Sequence, residues 1–463
     1  MVQKEIDGIG SVDPRRTTRA DRLAAGRAVR TQVKRSDLGI WDPPADRPDP
    51  VDVLEEQNRL RVQELVPIRY GRMLHSPFTY LRGAPGVMAG DLAAGPTTPL
   101  RTQLCGDAHL LNFGSYGTPE RNLVFDLNDF DETLPGPFEW DVKRLVTSVL
   151  IAARTTGKGE SVGREAARAA ARSYRTHMTR LAEAGVLDIW YERFDAADTF
   201  EHAFAALPTT GQLDKALDKA RHRTSAQALA KLTEVVDGRA QFRNDPPLLQ
   251  PLTPEQHEQV VEGLERAVST LPGEYHQLAR RYRVVATARK VVGVGSVGTR
   301  CMVALALGRD LDDVLMLQIK EAQRSVLAPY AGDTAMSSEG ERVVVGQRLM
   351  QAATDAFLCW ADDAQGMASY YVRQLRDMKG SADIDVMGPG AFAPYAEVCG
   401  MVMARAHARS TPPSPIAGYL GSGEVFDDAM ESFAVAYADQ TEADHAHLVE
   451  AHRSGRIAAE LDV

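Results

Sequence analysis

Apolar residues recur every third or fourth position through most of the chain, and this pattern gives way once to valine runs broken by glycine. From about residue 139 to 270, "EWDVKRLVTSVLIAARTT", "GREAARAAARSYRTHMTRLAEA" and "TPEQHEQVVEGLERAVSTL" carry the helical period, the last opening on a threonine cap. Residues 283–320, "RVVATARKVVGVGSVGTRCMVALALGRDLDDVLMLQIK", read as three strands joined by turns. The spacing then predicts a helix over 340–355, two strands in "AFLCWAD" and "SYYVRQLRD", and helices from "YAEVCGMVMARAHARS" onward. A proline-rich link, "DPPADRPDPV" (42–51), cannot continue a helix and separates the front of the chain from the helical pattern that follows. The class is therefore α+β, and a small sheet set late in a helical chain suggests two lobes around a cleft. The expected divisions are a basic N-terminal arm and link (1–50), a helical large lobe (51–282), a small antiparallel-sheet lobe (283–380) and a helical return to the large lobe (381–463).

Length and composition change this picture little. The chain has 463 residues, 44% hydrophobic and 25% charged, enough to bury more than one core. No stretch reaches the roughly 18 apolar residues of a membrane helix. The first residues lack the apolar centre of a signal peptide, and Cys105, Cys301, Cys359 and Cys399 show no CxxC spacing, so a cytoplasmic protein with no membrane contact is expected. A net charge of −10 argues against nucleic-acid partners. The local exception is residues 15–35, rich in arginine against one acid, Asp21. That stretch reads as a packed or solvated helix, or as an arm for a protein partner.

Candidate chemistry concentrates in "LCGDAHLLNFG" (104–114) and "VFDLNDFDE" (124–132). Asp107, Asp126, Asp129, Asp131 and Glu132 would repel one another unless a cation sat among them, which points to Mg2+. Between two valine-rich strands, "GVGSVG" places Gly293, Gly295, Ser296 and Gly298 where a strand-turn-strand flap could lay backbone N–H groups over phosphates. Lys320, at the end of an apolar strand, suits a phosphate oxygen and needs an acid partner, with Glu341 the first candidate and Glu339 and Glu321 its competitors. His109 and Arg82 each admit a packing role or a place in the site.

Asp107 and Asn112 stand at the spacing of a kinase catalytic loop, in which the aspartate takes a hydroxyl proton and the asparagine holds metal. Asp129 then resembles the metal-binding aspartate that follows such a loop, with Asp126 as rival. Twelve residues on, Asp141 in "FEWDVKRL" resembles the second aspartate of aminoglycoside- and choline-type kinases, which holds the catalytic loop through its backbone. The order is reversed, however, because a kinase presents glycine loop, lysine, helix glutamate and hinge before its catalytic loop. The chain would be a circularly permuted kinase-like protein.

Seven motifs, "GDAHLLNFG", "FDLNDFDET", "GPFEWDVKRL", "GVGSVGTR", "LQIKEA", "YYVRQLRDMKG" and "ARAHARS", resemble those of a bacterial domain-of-unknown-function family, number 2252, over residues 50–440. The resemblance implies the bilobal protein-kinase-like fold and no substrate. Gly106 stands where ordinary kinases carry arginine, and Asp131 where they carry glycine. The reading is an ATP- and Mg2+-dependent phosphotransferase to a hydroxyl of a small molecule, with Asp107, Asn112 and Lys320 catalytic, Asn112 and Asp129 on metal, and the glycines, Ser296, Lys320 and Glu341 on nucleotide. Its alternatives are a protein-directed kinase or AMP transferase, and a nucleotide-binding pseudokinase scaffold.

Overall fold

A six-stranded antiparallel sheet and a helical body meet along one cleft in the computed structural model, which describes residues 17–205, 218, 225–236, 239–375 and 378–461. Residues 1–16 of the expected arm lie outside the described residues. The rest of the basic stretch is docked. Its helix, Arg19–Val29, is capped by Thr18 and Asp21 and lies on the helix Pro413–Leu420. Arg30 and Arg35 donate to the carbonyls of Gly418, Tyr419 and Leu420, where the helix dipole is negative. Gly26 sits so close that a Cβ would lie 1.9 Å from the Pro415 carbonyl oxygen.

Around the acid-rich stretch four short strands form. β1 (Arg101–Leu104), β2 (Phe113–Gly117), β3 (Leu123–Leu127) and β4 (Leu134–Pro137) pair as β1 with β4 and β2 with β3, all antiparallel. β4 runs straight into the buried helix Phe138–Thr155, which packs on Glu160–Leu181, itself covered by Pro389–Ser410. Within the stretch expected to be helical, a hairpin of β5 (Thr233–Val236) and β6 (Arg239–Phe242) precedes the helix Pro254–Val268, whose Thr253–Gln256 capping box is formed.

The large sheet follows. β7 (Leu249–Pro251), β8 (Arg283–Lys290), β9 (Cys301–Leu307), β10 (Val314–Ala322), β11 (Cys359–Asp362) and β12 (Ser369–Gln374) lie in the order β11-β12-β10-β9-β8-β7. Alternation along β10 decides which residues reach the cleft. Leu315, Leu317 and Ile319 pack in one cluster with Leu264 and Ala267 of the helix Pro254–Val268. Gln318 and Lys320 line the cleft on the opposite face. The helix Glu339–Met350 contacts β11 and β12 on one side and Pro389–Ser410 on the other. Beyond β12 the chain returns through β13 (Gly380–Ser381), which pairs with β2, and so ties the sheet to the loop that carries Asp107. Among the described residues no helix is long and apolar enough to cross a membrane.

Candidate active site

The loop 104–112 is shaped from behind by Asp141. Its carboxylate accepts the backbone N–H groups of Cys105 (2.8 Å) and Gly106 (3.0 Å), and His407 Nε2 lies 3.2 Å from it, steadied by Tyr174 at 2.9 Å from Nδ1. Gly106 has φ +82°, and a Cβ there would lie 2.4 Å from the Glu132 carbonyl oxygen. Gly106→Ala is therefore expected to cost more than about 2 kcal/mol, read from a urea melt. A stability within error of wild type would contradict this placement.

Asp107 emerges from that loop in a fixed ion pair. Arg144, on the helix Phe138–Thr155, directs Nε (2.6 Å) and Nη2 (2.5 Å) at Oδ1 and also bonds the Leu81 carbonyl. Oδ2 is left on the His109 side, 3.8 Å from its Nε2. Burial pushes His109 down to about 4, Asp107 pulling the other way and Arg82 and Arg144 adding to the fall. His109 is thus neutral at pH 7. Between about 4 and the ordinary 6.5 the unfolded chain binds more protons than the folded one, so stability falls as pH falls through that window. His109→Gln should flatten the profile there, measured as the urea midpoint against pH, and an unchanged slope would contradict it.

Asn112 does not offer its oxygen to the cleft. Oδ1 accepts the backbone N–H groups of Asp129 (2.7 Å) and Asn128 (3.3 Å), and Nδ2 donates to the carbonyls of Asp107 and Asp129. It holds the Asp107 and Asp129 loops in register and has no lone pair left for metal. Asp126 is no metal rival either: it is buried against Arg405 at 2.5 Å and accepts Ala352 N–H.

Lys320 and Asp129 face each other across the cleft. Lys320 Nζ stands 3.4 Å from both oxygens of Asp129, 2.5 Å from Asp131 Oδ2, and over the Tyr371 ring at 5.3 Å. Burial alone would lower the Lys320 pKa, but Asp129, Asp131 and Tyr371 raise it well above the ordinary value. Burial would likewise raise Asp129, yet Lys320, Arg373 and Lys379 hold it well below the usual carboxylate range. Lys379 is pushed down to about 7 by burial and by Arg373.

The expected Lys320–Glu341 pair is absent. Glu341 turns back to Ser337, Glu339 pairs with Arg342, and Glu321 with Arg300. The residue the helix sends inward is Arg342, whose guanidinium bonds the carbonyls of Asp131, Thr133 and Gln323 and so fixes the acidic turn beneath Lys320. Asp131 takes the role foreseen for a glutamate; its position in place of a glycine was the sequence signal.

The glycine loop joins β8 to β9, as a strand-turn-strand element should, but it is pinned. Val294–Ser296 makes a 3-10 turn, Ser296 donates to Asp131 (3.2 Å), and Gly298 has φ +87°. Gly293 has open space around it, whereas a Cβ on Gly295 would meet the Arg82 carbonyl at 3.3 Å. Arg72 donates to the Val292 carbonyl and Arg61 to that of Val297. These contacts come from residues 61–82, of which the sequence pattern singled out only Arg82.

The cleft, open to solvent along one side, measures about 650 Å³. Arg61, Arg72, Arg82, Lys290, Lys320, Arg324, Arg373 and Lys379 line it against only four acids, Asp107, Asp129, Asp131 and Glu132. Such a balance favours an anionic, phosphate-bearing ligand. Among the described residues no group of three or more His, Cys, Asp or Glu forms a metal cage. Asp129 and Asp131 still fit Mg2+, which takes one or two carboxylates and completes its shell with phosphate oxygens and water.

Residues 61–451 match the family described as "uncharacterized protein conserved in bacteria" (DUF2252). The chain belongs to this family. No curated protein and no solved structure matches it. The cleft, with Asp107, Asp129, Lys320 and the glycine loop, lies within the region that defines DUF2252.

Proposed function

We propose that this DUF2252 protein is an ATP- and Mg2+-dependent phosphotransferase acting on a hydroxyl of a small molecule, built on a circularly permuted, bilobal kinase-like fold. One observation carries the reading: Lys320 Nζ stands 3.4 Å from Asp129, although the two residues are separated by 191 positions in the chain. The order glycine-loop hairpin, lysine strand, helix and two further strands also agrees with a kinase small lobe, and Asp107 and Asp129 come from the opposite wall.

In this mechanism Lys320 holds the phosphates and the backbone of Gly293–Gly298 covers them once Ser296 leaves Asp131. Asp129 and Asp131 would hold Mg2+, which supplies charge neutralisation at the phosphates when bound. Asp107 Oδ2 orients the acceptor hydroxyl and takes its proton as the acceptor oxygen bonds to the γ-phosphorus and the β–γ bridge breaks, releasing ADP. Arg144 fixes the carboxylate in place. Most of the rate would come from positioning and electrostatics.

A second reading, nucleotide binding without transfer, draws on the closed contacts of Asp131 with Lys320, Tyr371 and Ser296. Incubation with ATP and a cellular metabolite pool separates the two. Transfer predicts Mg2+-dependent ATP consumption and an acceptor that gains one phosphate by mass. Thermal stabilisation by Mg2+–ATP without turnover supports the scaffold instead, and no stabilisation at all rejects both.

A further inference from the structure

The helices Val66–Leu74, Pro77–Gly83 and Pro85–Ala94 precede the Asp107 loop in the chain. Pro77–Gly83 contacts both the glycine-loop turn and the helix Phe138–Thr155, so it bridges the two walls of the cleft. Its last turn delivers Arg82 beside Asp107 and His109.

Arg82 differs from the other arginines of the cleft. Arg61 bonds the Val297 carbonyl, Arg72 that of Val292, Arg373 that of Asn128, and Arg324 pairs with Asp333. Arg82 makes no hydrogen bond or ion pair among the described residues; its Nε is buried without a partner, and its guanidinium carbon lies 6.0 Å from the Phe78 ring centre. Asp107 acts on Arg82 only through space: no hydrogen bond or ion pair joins the two among the described residues, and Arg144 holds Asp107 Oδ1. A partly buried guanidinium whose Nε has no partner is short of hydrogen bonds, and its fork is shaped to recognise phosphate through two parallel ones. Burial lowers the Arg82 pKa, and Asp107 opposes the fall.

We propose that Arg82 anchors an oxyanion subsite beside Asp107, separate from the Lys320–Asp129 centre, which takes a phosphate-class group. That group belongs either to the acceptor or to the terminal phosphate of the nucleotide. The subsite stands on geometry alone; the assignment of its two sources rests on the phosphotransferase reading.

Calorimetric titration of the full chain with inorganic phosphate, at neutral pH and constant ionic strength, tests it. Wild type should bind at one saturable site, and Arg82→Gln should weaken binding by about tenfold or more, the value of a charged hydrogen bond, with Arg82→Lys between them. No saturable binding, or equal affinity in Arg82→Gln, overturns the proposal. Should Arg82→Gln fail to fold, phenylglyoxal labelling of the wild type decides: phosphate must slow modification of Arg82, located by peptide mass, and no protection overturns the proposal.

A non-hydrolysable ATP analogue with Mg2+ then assigns the source. Displacement of phosphate identifies the nucleotide, and simultaneous binding identifies the acceptor. If phosphate binds through Arg82 while ATP is never consumed, the phosphotransferase reading fails and the subsite survives. If ATP is consumed but Arg82→Gln changes neither phosphate affinity nor turnover, the subsite alone fails.

Discussion

Asp129→Asn is expected to lower ATP turnover by about 10²- to 10³-fold, the usual loss for one preorganised charge, while leaving the protein folded. Asp129 is suited to this test because 41% of its side chain is exposed and Lys320 has a second acid partner in Asp131. Lys320 keeps Asp131 at 2.5 Å and the Tyr371 ring, and an asparagine oxygen can still accept the Phe130 N–H. Asp107 is a poorer first target. Removing it strands Arg144, which is only 3% exposed, and confuses lost chemistry with lost stability. Coupled measurement of ATP consumption and urea unfolding decides the matter. Turnover reduced less than about tenfold would remove Asp129 from the mechanism, and a collapsed melt would make it a structural acid.

Asp126→Asn should have the opposite signature, a loss of about 3–5 kcal/mol of stability with the turnover of each folded molecule nearly unchanged. Asp126 and Arg405 form an ion pair at 2.5 Å with both side chains almost fully buried, and Asp126 also accepts the N–H groups of Leu127 and Ala352. Neutralising the acid leaves a guanidinium uncompensated in the core. Arg405 reaches Asp126 from the helix Pro389–Ser410 while bonding the Met350 carbonyl at the end of Glu339–Met350, so the loss would spread to the support of the sheet. Urea denaturation gives the number, and a change below about 1 kcal/mol would show that the pair is not holding those elements together.

The contrast between these aspartates marks where the chain could be read locally and where it could not. The β8–β9–β10 strands, the helix after them and the β11–β12 pair were visible because period-two and period-3.6 patterns are local properties. Asp141 was legible for a similar reason, since a carboxylate in a first helical turn twelve residues beyond an acidic loop has little freedom in where it can reach. Lys320 could be placed on a strand, but its partner could not be named. Helix Glu339–Met350 offers both Glu341 and Arg342 in its first turn, and only the rotation set by packing against Thr133 and Tyr370 turns Arg342 inward. The Asn112 lone pairs went to backbone N–H groups sixteen and seventeen residues away, and the Asp126–Arg405 pair closes across most of the chain. The β5–β6 hairpin was missed because a short strand pair amid helical patterning carries little periodicity. The docking of the basic stretch likewise depended on Gly26 meeting Pro415, a contact that neither segment signals alone.

The most direct test of the account is the calorimetric affinity of ATP with and without Mg2+, for wild type and for Lys320→Met. If Lys320 and Asp129 together form the phosphate and metal centre, wild type binds ATP only with Mg2+ and Lys320→Met weakens that binding by about tenfold or more. Equal affinity in the two proteins, or binding indifferent to Mg2+, would contradict it.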